Sequence, residues 1–199
     1  MADWEFGHGD ERHRTAGLQA SPEARATVLR WYEPLVVPGL LQTEDYARAI
    51  LSARPDGYLD DLDEQVAARL ARQAILDRTG APQLWCILDE GVLHRAIGGS
   101  KVMRSQLYRF AEVADNPRTT IQVVWSGDAH AGLLGGFIIA DLDSEPSVAY
   151  LETAAEGIVT DSSSAVNHVA LRFDRLRSQA ESWVASRDLI RKVAEERWT

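Results

Sequence analysis

The sequence has few of the features that mark secreted, metal-binding or membrane proteins. Its 199 residues include one cysteine, Cys86, so no disulfide can form within the chain and no cysteine-based metal site is possible. Cys86 lies in an apolar run, which favours a buried, inert thiol over a nucleophile. No apolar run is long enough to cross a bilayer, and the charged start of the chain has no signal-peptide core. We therefore expect a cytoplasmic protein.

Basic residues are scarce relative to acidic ones. Lysine and arginine number 21 against 30 aspartates and glutamates, which gives a formal net charge of -9. Nucleic-acid binding depends largely on basic contacts to phosphates, and anionic membranes also attract basic segments. The charge therefore predicts no direct nucleic-acid binding and no membrane docking. A basic partner protein or a neutral small ligand fits it better.

Motifs that carry well-known chemistry are missing as well. The sequence contains no P-loop, no dinucleotide-binding GxGxxG, no HExxH, no GxSxG and no EF-hand loop. Its five histidines include no pair at metal-ligand spacing on a predicted helix. We accordingly expect neither a bound metal nor a cofactor.

The hydrophobic pattern places helices at both ends of the chain and strands in the middle. Residues 1–20 lack periodicity and are typical of a leader or linker remnant, while residues 21–199 form one predicted domain. Ser21-Pro22-Glu23 predicts a helix that runs to about Leu29. Further helices are predicted over 44–53, 62–78, 102–116, 161–176 and 186–197, and strands over 31–37, 84–88, 119–125, 137–142 and 148–152. The pattern predicts an α+β domain: a mixed, largely antiparallel sheet of four to five strands covered by helices.

The short turn at residues 143–146 predicts that the strands at 137–142 and 148–152 form an antiparallel hairpin. Within the helix predicted at 62–78, Arg69 and Arg72 lie away from the apolar face, so we expect both side chains in solvent.

The strongest enzyme candidates are His130, Glu152 and Glu90, which fall at strand ends or in the glycine-rich segment 127–136. A histidine there could act as an acid or a base near neutral pH, although an ordinary loop histidine is the simpler interpretation. Tyr150 alternates with Glu152 along a predicted strand, so both side chains point to one side. The glycine-rich segment could cradle an anion through its amides, but it lacks the lysine and hydroxyl of a nucleotide site.

Tryptophan is abundant, with six residues in the chain. Most are expected in the core, but those at a sheet edge could line an apolar pocket or anchor a partner. The residues predicted to bind a ligand or partner are Trp31, Trp85, Trp125, His130, Tyr150 and Glu152.

Several ordered strings in the chain resemble one family. WYEPLVVPGLLQTEDYARAIL at residues 31–51 resembles the opening motif of a domain of unknown function in actinobacterial regulators of the WhiJ type. Matches continue with VAARLARQAILDR, QLWCILDEGVLHRAIGGSKVMRSQL, TIQVVWSGDAHAGLLGGFIIADL, VAYLET and FDRLRSQA, so the resemblance covers about residues 23–196. Within the best-matched motif, Pro38 to Thr43, we expect a structural role: a strand exit, a Pro-Gly turn and a helix cap. An interaction role is the alternative.

The resemblance implies a regulatory protein. The family usually carries a helix-turn-helix before this domain, and only about twenty residues precede it here, so we expect a chain without that DNA-binding unit, whether trimmed or naturally lacking it. Such regulators are commonly encoded beside a small partner protein, and some are antitoxin-like. The resemblance therefore implies a domain that binds a small-molecule effector or a small partner protein, and that could form homo-oligomers.

The resemblance supplies no catalytic residues, and one position departs from the family pattern. The family often has proline after the strand at Val123-Val124, where this chain has Trp125-Ser126. Two alternatives stay open. One is a stand-alone member recruited as a biosynthetic enzyme, with acid and base residues near the glycine-rich loop. The other is a decoy that forms mixed oligomers with full-length relatives.

Overall fold

A six-stranded sheet forms the centre of the computed structural model, which describes residues 21–53, 61–127, 129–153 and 157–199. The strands are β1 (Ala26–Glu33), β2 (Gln83–Asp89), β3 (Thr119–Val124), β4 (Phe137–Leu142), β5 (Val148–Glu152) and β6 (Gly157–Thr160). Their order across the sheet is β3-β2-β1-β4-β5-β6. The pairs β1–β2 and β2–β3 are parallel, and the three remaining pairs are antiparallel. The leader predicted at residues 1–20 lies outside the described residues.

Seven α-helices are present in the described ranges. They are α1 (Pro22–Arg25), α2 (Glu44–Ser52), α3 (Leu62–Arg72), α4 (Gly91–His94), α5 (Ser100–Val113), α6 (Ser163–Gln179) and α7 (Trp183–Glu196). Short 3-10 turns lie at Gly39–Leu41, Gln73–Leu76 and Ala131–Leu134. The predicted combination of helices with a mixed, mostly antiparallel sheet is confirmed. None of these described helices has both the length and the apolar content that a membrane span requires.

The sheet is covered by helices on both faces because its side chains alternate between two hydrophobic clusters. One cluster joins odd-numbered β1 residues such as Trp31, and Cys86 of β2, to α2, α5 and α7. The other joins Tyr32 of β1 and Phe137 of β4 to α6, through residues that include Phe173. We call these the three-helix face and the α6 face. A residue's parity along its strand therefore decides which face its side chain occupies.

Buried amide side chains hold the turn that leads from β1 to α2. The Gln42 amide donates to the Val37 carbonyl oxygen at 2.7 Å, and its own oxygen accepts from Arg69 at 3.0 Å. Gln106 on α5 accepts from the Thr43 backbone amide at 2.7 Å. Thr43 also caps α2 with its side chain. Because these contacts satisfy the backbone of an irregular buried segment, they fit the structural role expected for this motif.

The prediction that Arg69 and Arg72 lie in solvent is wrong. Their residues are 3% and 6% exposed. Arg69 bonds to Gln42, and the Arg72 Nε atom lies 2.9 Å from the Glu23 carboxylate, which is itself fully buried. The turn after β1 and the start of the domain pack over this side of α3 and supply the acceptors. The periodicity of a single helix does not identify acceptors that come from other segments of the chain.

Element boundaries also differ from the sequence prediction. The sheet has six strands rather than four to five, because the short strand β6 pairs with β5. The first helix ends at Arg25 instead of Leu29, since residues from Ala26 onward pair with β4. The helix predicted to Arg78 ends at Arg72 and continues as a 3-10 turn. Pairing with a distant strand overrides local helical preference at the end of the first helix.

Replacing Phe173 with alanine should test whether α6 seals its face of the sheet. Phe173 is 1% exposed, so we expect Phe173→Ala to lower the free energy of unfolding by about 3–5 kcal/mol in chemical denaturation. Leu171→Ala on the same helix is the control, because Leu171 is 71% exposed and should change stability by less than about 0.5 kcal/mol. Similar small effects for both variants would show that α6 does not pack as described.

Candidate functional site

The ends of five strands lie together at one edge of the sheet. Because β1, β2 and β3 are parallel, their carboxyl ends meet at one edge. The antiparallel strands bring the start of β4 and the end of β5 to the same place. We call this the carboxyl edge. Polar groups from segments far apart in sequence therefore lie along it.

Two carboxylates flank a glycine on the three-helix face of this edge. Glu33 ends β1 and has the same parity as Trp31, and Glu152 ends β5 with the same parity as Tyr150. The register that pairs Tyr32 with Phe137 places Gly136 beside Glu33 on the neighbouring strand. The Gly136 carbonyl oxygen accepts a hydrogen bond from the Glu152 amide at 3.4 Å. A Cβ atom at Gly136 would lie 3.5 Å from the Glu152 carboxylate. The Glu152 side chain thus leans over the glycine, toward the strand that carries Glu33.

The Glu33 carboxyl is held in an unfavourable place for a charge. The residue is 2% exposed, and its nearest backbone donor is the Leu35 amide at 3.5 Å. Burial raises the pKa of Glu33 to about 8, and the Glu152 carboxylate adds to the rise. Hydrogen bonds from the Leu35 amide and the Trp31 side chain oppose it. Glu33 is therefore mostly protonated at neutral pH.

His130 is anchored through both ring nitrogens. Its Nε2 atom lies 3.1 Å from Asp89 Oδ2, and its Nδ1 atom accepts from the Gly132 amide at 3.1 Å. The other Asp89 oxygen accepts from the Ser126 hydroxyl at 2.6 Å and from the Gly91 amide at 2.7 Å. Since Nδ1 accepts, the ring proton belongs on Nε2. In this arrangement His130 fastens the glycine-rich loop to β2 and has no nitrogen available for a substrate.

Arg172 of α6 holds the same loop from the other side. Its guanidinium donates to the Ala131 carbonyl oxygen at 3.1 and 3.0 Å and to the Gly135 carbonyl oxygen at 3.2 Å. Tyr32 lies directly beneath the loop, where a Cβ atom at Gly132 would clash with its phenol. Glycine is thus required at position 132 for the loop to lie this close to Tyr32.

The three predicted tryptophans do not meet at one site. Trp31 is buried in the core of the three-helix face. Trp85 lies on the α6 face, with the Arg177 guanidinium 4.5 Å from its ring centroid. Trp125 follows β3, is 44% exposed, and donates its indole N–H to Glu181 at 2.7 Å. They cannot line a common pocket.

The other predicted site residues are also divided between the faces. Tyr150 shares the three-helix face with Trp31, one strand apart across Ile138. Glu152 follows it on that face. Asp89 has the parity of Ile87, so the Asp89–His130 pair lies on the α6 face. Glu90 begins the turn into α4 and lies 3.4 Å from His94. The sheet therefore separates His130 from Glu152.

The structure adds functional candidates that the sequence prediction missed: Glu33, Asp89, Tyr32 and Arg172. Asp89 could have been found, because it is an acidic residue at the end of a predicted strand, whereas Glu33 falls inside the strand predicted at 31–37. No sequence pattern pointed to Arg172, because its hydrogen-bond partners, Gly135 and Ala131, lie 37 and 41 residues away. Among the described residues, no three side chains of metal-ligating type come together.

Comparisons with known proteins place the chain in a family without adding a known activity. The family model described as Domain of unknown function (DUF5753) matches residues 19–192, which is most of the chain. No curated protein and no solved structure matches it.

Glu33→Gln should change how stability depends on pH. The folded-state pKa of about 8 lies above the ordinary value of 4.5, so the contribution of Glu33 is complete at low pH and is lost as the pH rises through about 8. We expect the free energy of unfolding of the wild type to fall between about pH 5 and pH 8, and Glu33→Gln to flatten that fall.

Urea denaturation at several pH values measures the effect of Glu33→Gln. Glu112→Gln is the control, because the Glu112 side chain is 70% exposed. A pH profile of Glu33→Gln that matches the wild type would contradict the assignment of a buried neutral carboxyl.

Proposed function

The chain belongs to the DUF5753 family, and we propose that it is the effector-binding or partner-binding domain of a WhiJ-like transcriptional regulator. In this proposal it acts in the cytoplasm, senses a small molecule or a small partner protein, and passes the signal to a DNA-binding helix-turn-helix. The resemblance of residues 31–51 to the opening motif of such regulators supports the regulatory context. The net charge of -9 fits a basic partner better than nucleic acid.

The observation that carries the proposal is the convergence of polar groups at the carboxyl edge. Glu33, Asp89, Glu152 and the glycine-rich loop come from separate chain segments. They lie along one edge, on the two faces of the sheet, where β1 has a parallel neighbour on one side and an antiparallel one on the other. Ligands of open α/β sheets bind outside the carboxyl ends of parallel strands, where the strand arrangement changes. The carboxyl edge is therefore the site to which we assign the effector or partner.

The contacts at this edge favour binding over catalysis. His130 has both ring nitrogens engaged, and both oxygens of Asp89 accept or share hydrogen bonds. His130 and Glu152 also lie on opposite faces of the sheet, and Glu90 is turned toward His94. An acid and a base that act on one substrate must both reach it. Because the candidate acid and base groups lie on opposite faces or are already hydrogen-bonded, the alternative of a biosynthetic enzyme has less support.

Native mass spectrometry of the chain purified from its own host tests the proposal. We expect the wild type to retain a small basic protein or a metabolite, identified by denaturing analysis. Glu152→Lys reverses a charge at the carboxyl edge and should reduce retention at least tenfold. Glu145→Lys is the matched control. Glu145 lies in the β4–β5 turn at the opposite edge, and its exposed ion pair with Arg25 contributes little to stability.

Three results would count against the function or its assigned site. If the wild type retains neither a protein nor a small molecule, the binding role fails. If Glu152→Lys and Glu145→Lys retain the ligand equally, the binding site lies away from the carboxyl edge. Turnover of a pathway intermediate that His130→Ala abolishes would favour the enzyme alternative.

A further inference from the structure

The Tyr32 hydroxyl is a buried polar group without a partner in the described part of the chain. Tyr32 is 0% exposed, and no described residue donates to or accepts from its oxygen. Buried hydroxyls in native proteins almost always have a hydrogen-bond partner, so each exception needs an explanation. Tyr32 lies on the α6 face, beneath Gly132 of the glycine-rich loop. The hydroxyl is thus directed at the underside of that loop.

The chemistry around Tyr32 keeps it a donor. Burial raises the pKa of Tyr32 well above its usual value, and the carboxylates of Asp89 and Glu33 raise it further. The Arg172 guanidinium lies close by: its central carbon is 4.9 Å from the centroid of the Phe137 ring, and that ring centroid is 5.8 Å from the Tyr32 ring centroid. A protonated phenol beside a guanidinium offers two hydrogen-bond donors. Among the described residues, the Tyr32 hydroxyl has no acceptor.

Arg172 has no carboxylate partner among the described residues. The acceptors that it contacts are the backbone carbonyl oxygens of Ala131 and Gly135. Neutral carbonyls stabilise a partly buried guanidinium less well than a carboxylate does. The nearby carboxylate of Asp89 is already bound by Gly91, Ser126 and His130. Within the described part of the chain, Arg172 therefore has hydrogen-bond acceptors but no opposite charge.

The loop above these two donor groups is fastened mainly by polar contacts, and its Ala131 packs, partly buried, against the α6-face cluster. Leu133 and Leu134 at its tip are 65% and 82% exposed, so neither side chain anchors it. The contacts that close it are those of His130 and Arg172. Segments with few buried apolar contacts open locally at low free-energy cost. Opening would expose Tyr32 and release the donors of Arg172.

We propose that residues His130–Gly135 form a lid over an anion site in which the Tyr32 hydroxyl and the Arg172 guanidinium bind the carboxylate of a small-molecule effector. The carboxylate replaces the loop carbonyls as the acceptor of Arg172 and satisfies the Tyr32 hydroxyl at the same time. A carboxylate suits the planar fork of donors that arginine presents. This inference rests on the proposed function and names the ligand class for the α6 side of the carboxyl edge.

Acetate and its neutral isostere acetamide are the probes that test the site. Each is titrated into the full chain at constant ionic strength while the amide signals of Gly132, Gly135 and Gly136 are followed by NMR. We expect acetate to shift these signals saturably and acetamide to leave them unchanged. Tyr32→Phe and Arg172→Gln should each weaken acetate binding at least tenfold.

Two matched variants serve as controls for the acetate titration. Tyr108→Phe alters a tyrosine on the surface of α5, and Arg175→Gln alters an exposed arginine on the same helix as Arg172, so both should bind acetate like the wild type. Thermal denaturation confirms that every variant is folded. Tyr32→Phe removes an unsatisfied hydroxyl, so we expect its melting temperature to equal or exceed that of the ligand-free wild type.

The outcomes separate this site from the broader function. Saturable acetate binding that Tyr32→Phe and Arg172→Gln both lose supports the site, whatever the host-purified chain retains. Equal shifts with acetate and acetamide, or wild-type binding by folded Tyr32→Phe, overturn it. A retained partner together with no acetate binding overturns the site and leaves the proposed function standing.

Discussion

The arrangement of the molecule depends on the two different neighbours of β1. On one side β1 pairs in parallel with β2, and on the other it pairs antiparallel with β4. The parallel pairing requires a long crossover, which α2 and α3 supply, and it brings the carboxyl ends of β1, β2 and β3 to one edge. The antiparallel pairing returns the glycine-rich loop and Glu152 to that same edge. Without this mixed pairing the polar groups would lie at opposite ends of the sheet.

Side-chain alternation then divides the carboxyl edge into two chemical environments. On the three-helix face, Glu33 and Glu152 flank Gly136, and burial keeps the Glu33 carboxyl mostly neutral. On the α6 face, Asp89 binds His130 while Tyr32 and Arg172 lie under the loop. The three-helix face therefore presents two carboxyl groups, whereas on the α6 face the Asp89 carboxylate is already hydrogen-bonded and the donor groups of Tyr32 and Arg172 lie under the loop. The sheet itself separates the two environments. Neighbouring residues of one strand, such as Tyr32 and Glu33, therefore belong to different sites.

Local chemistry explains which sequence predictions were confirmed. Thr43 caps α2, and the β4–β5 hairpin follows from a short turn, because the residues that make these structures are neighbours in sequence. Other predictions failed where pairing with another strand decides the outcome. The helix predicted through Leu29 gives way to β1 because that stretch pairs with β4, more than a hundred residues away. β6 was missed because four residues form a strand only once β5 is beside them.

The candidate site shows the same division. The sequence by itself determined the candidate positions at strand ends and in the glycine-rich loop, among them His130 and Glu152, because strand ends and glycines are visible as local patterns. Only the tertiary structure decided that His130 is bound to Asp89, that Glu152 lies on the other face near Glu33, and that Arg172 crosses from α6 to the loop. These contacts join residues far apart in the chain, and they depend on the order of the strands across the sheet, which is decided by pairing between distant segments.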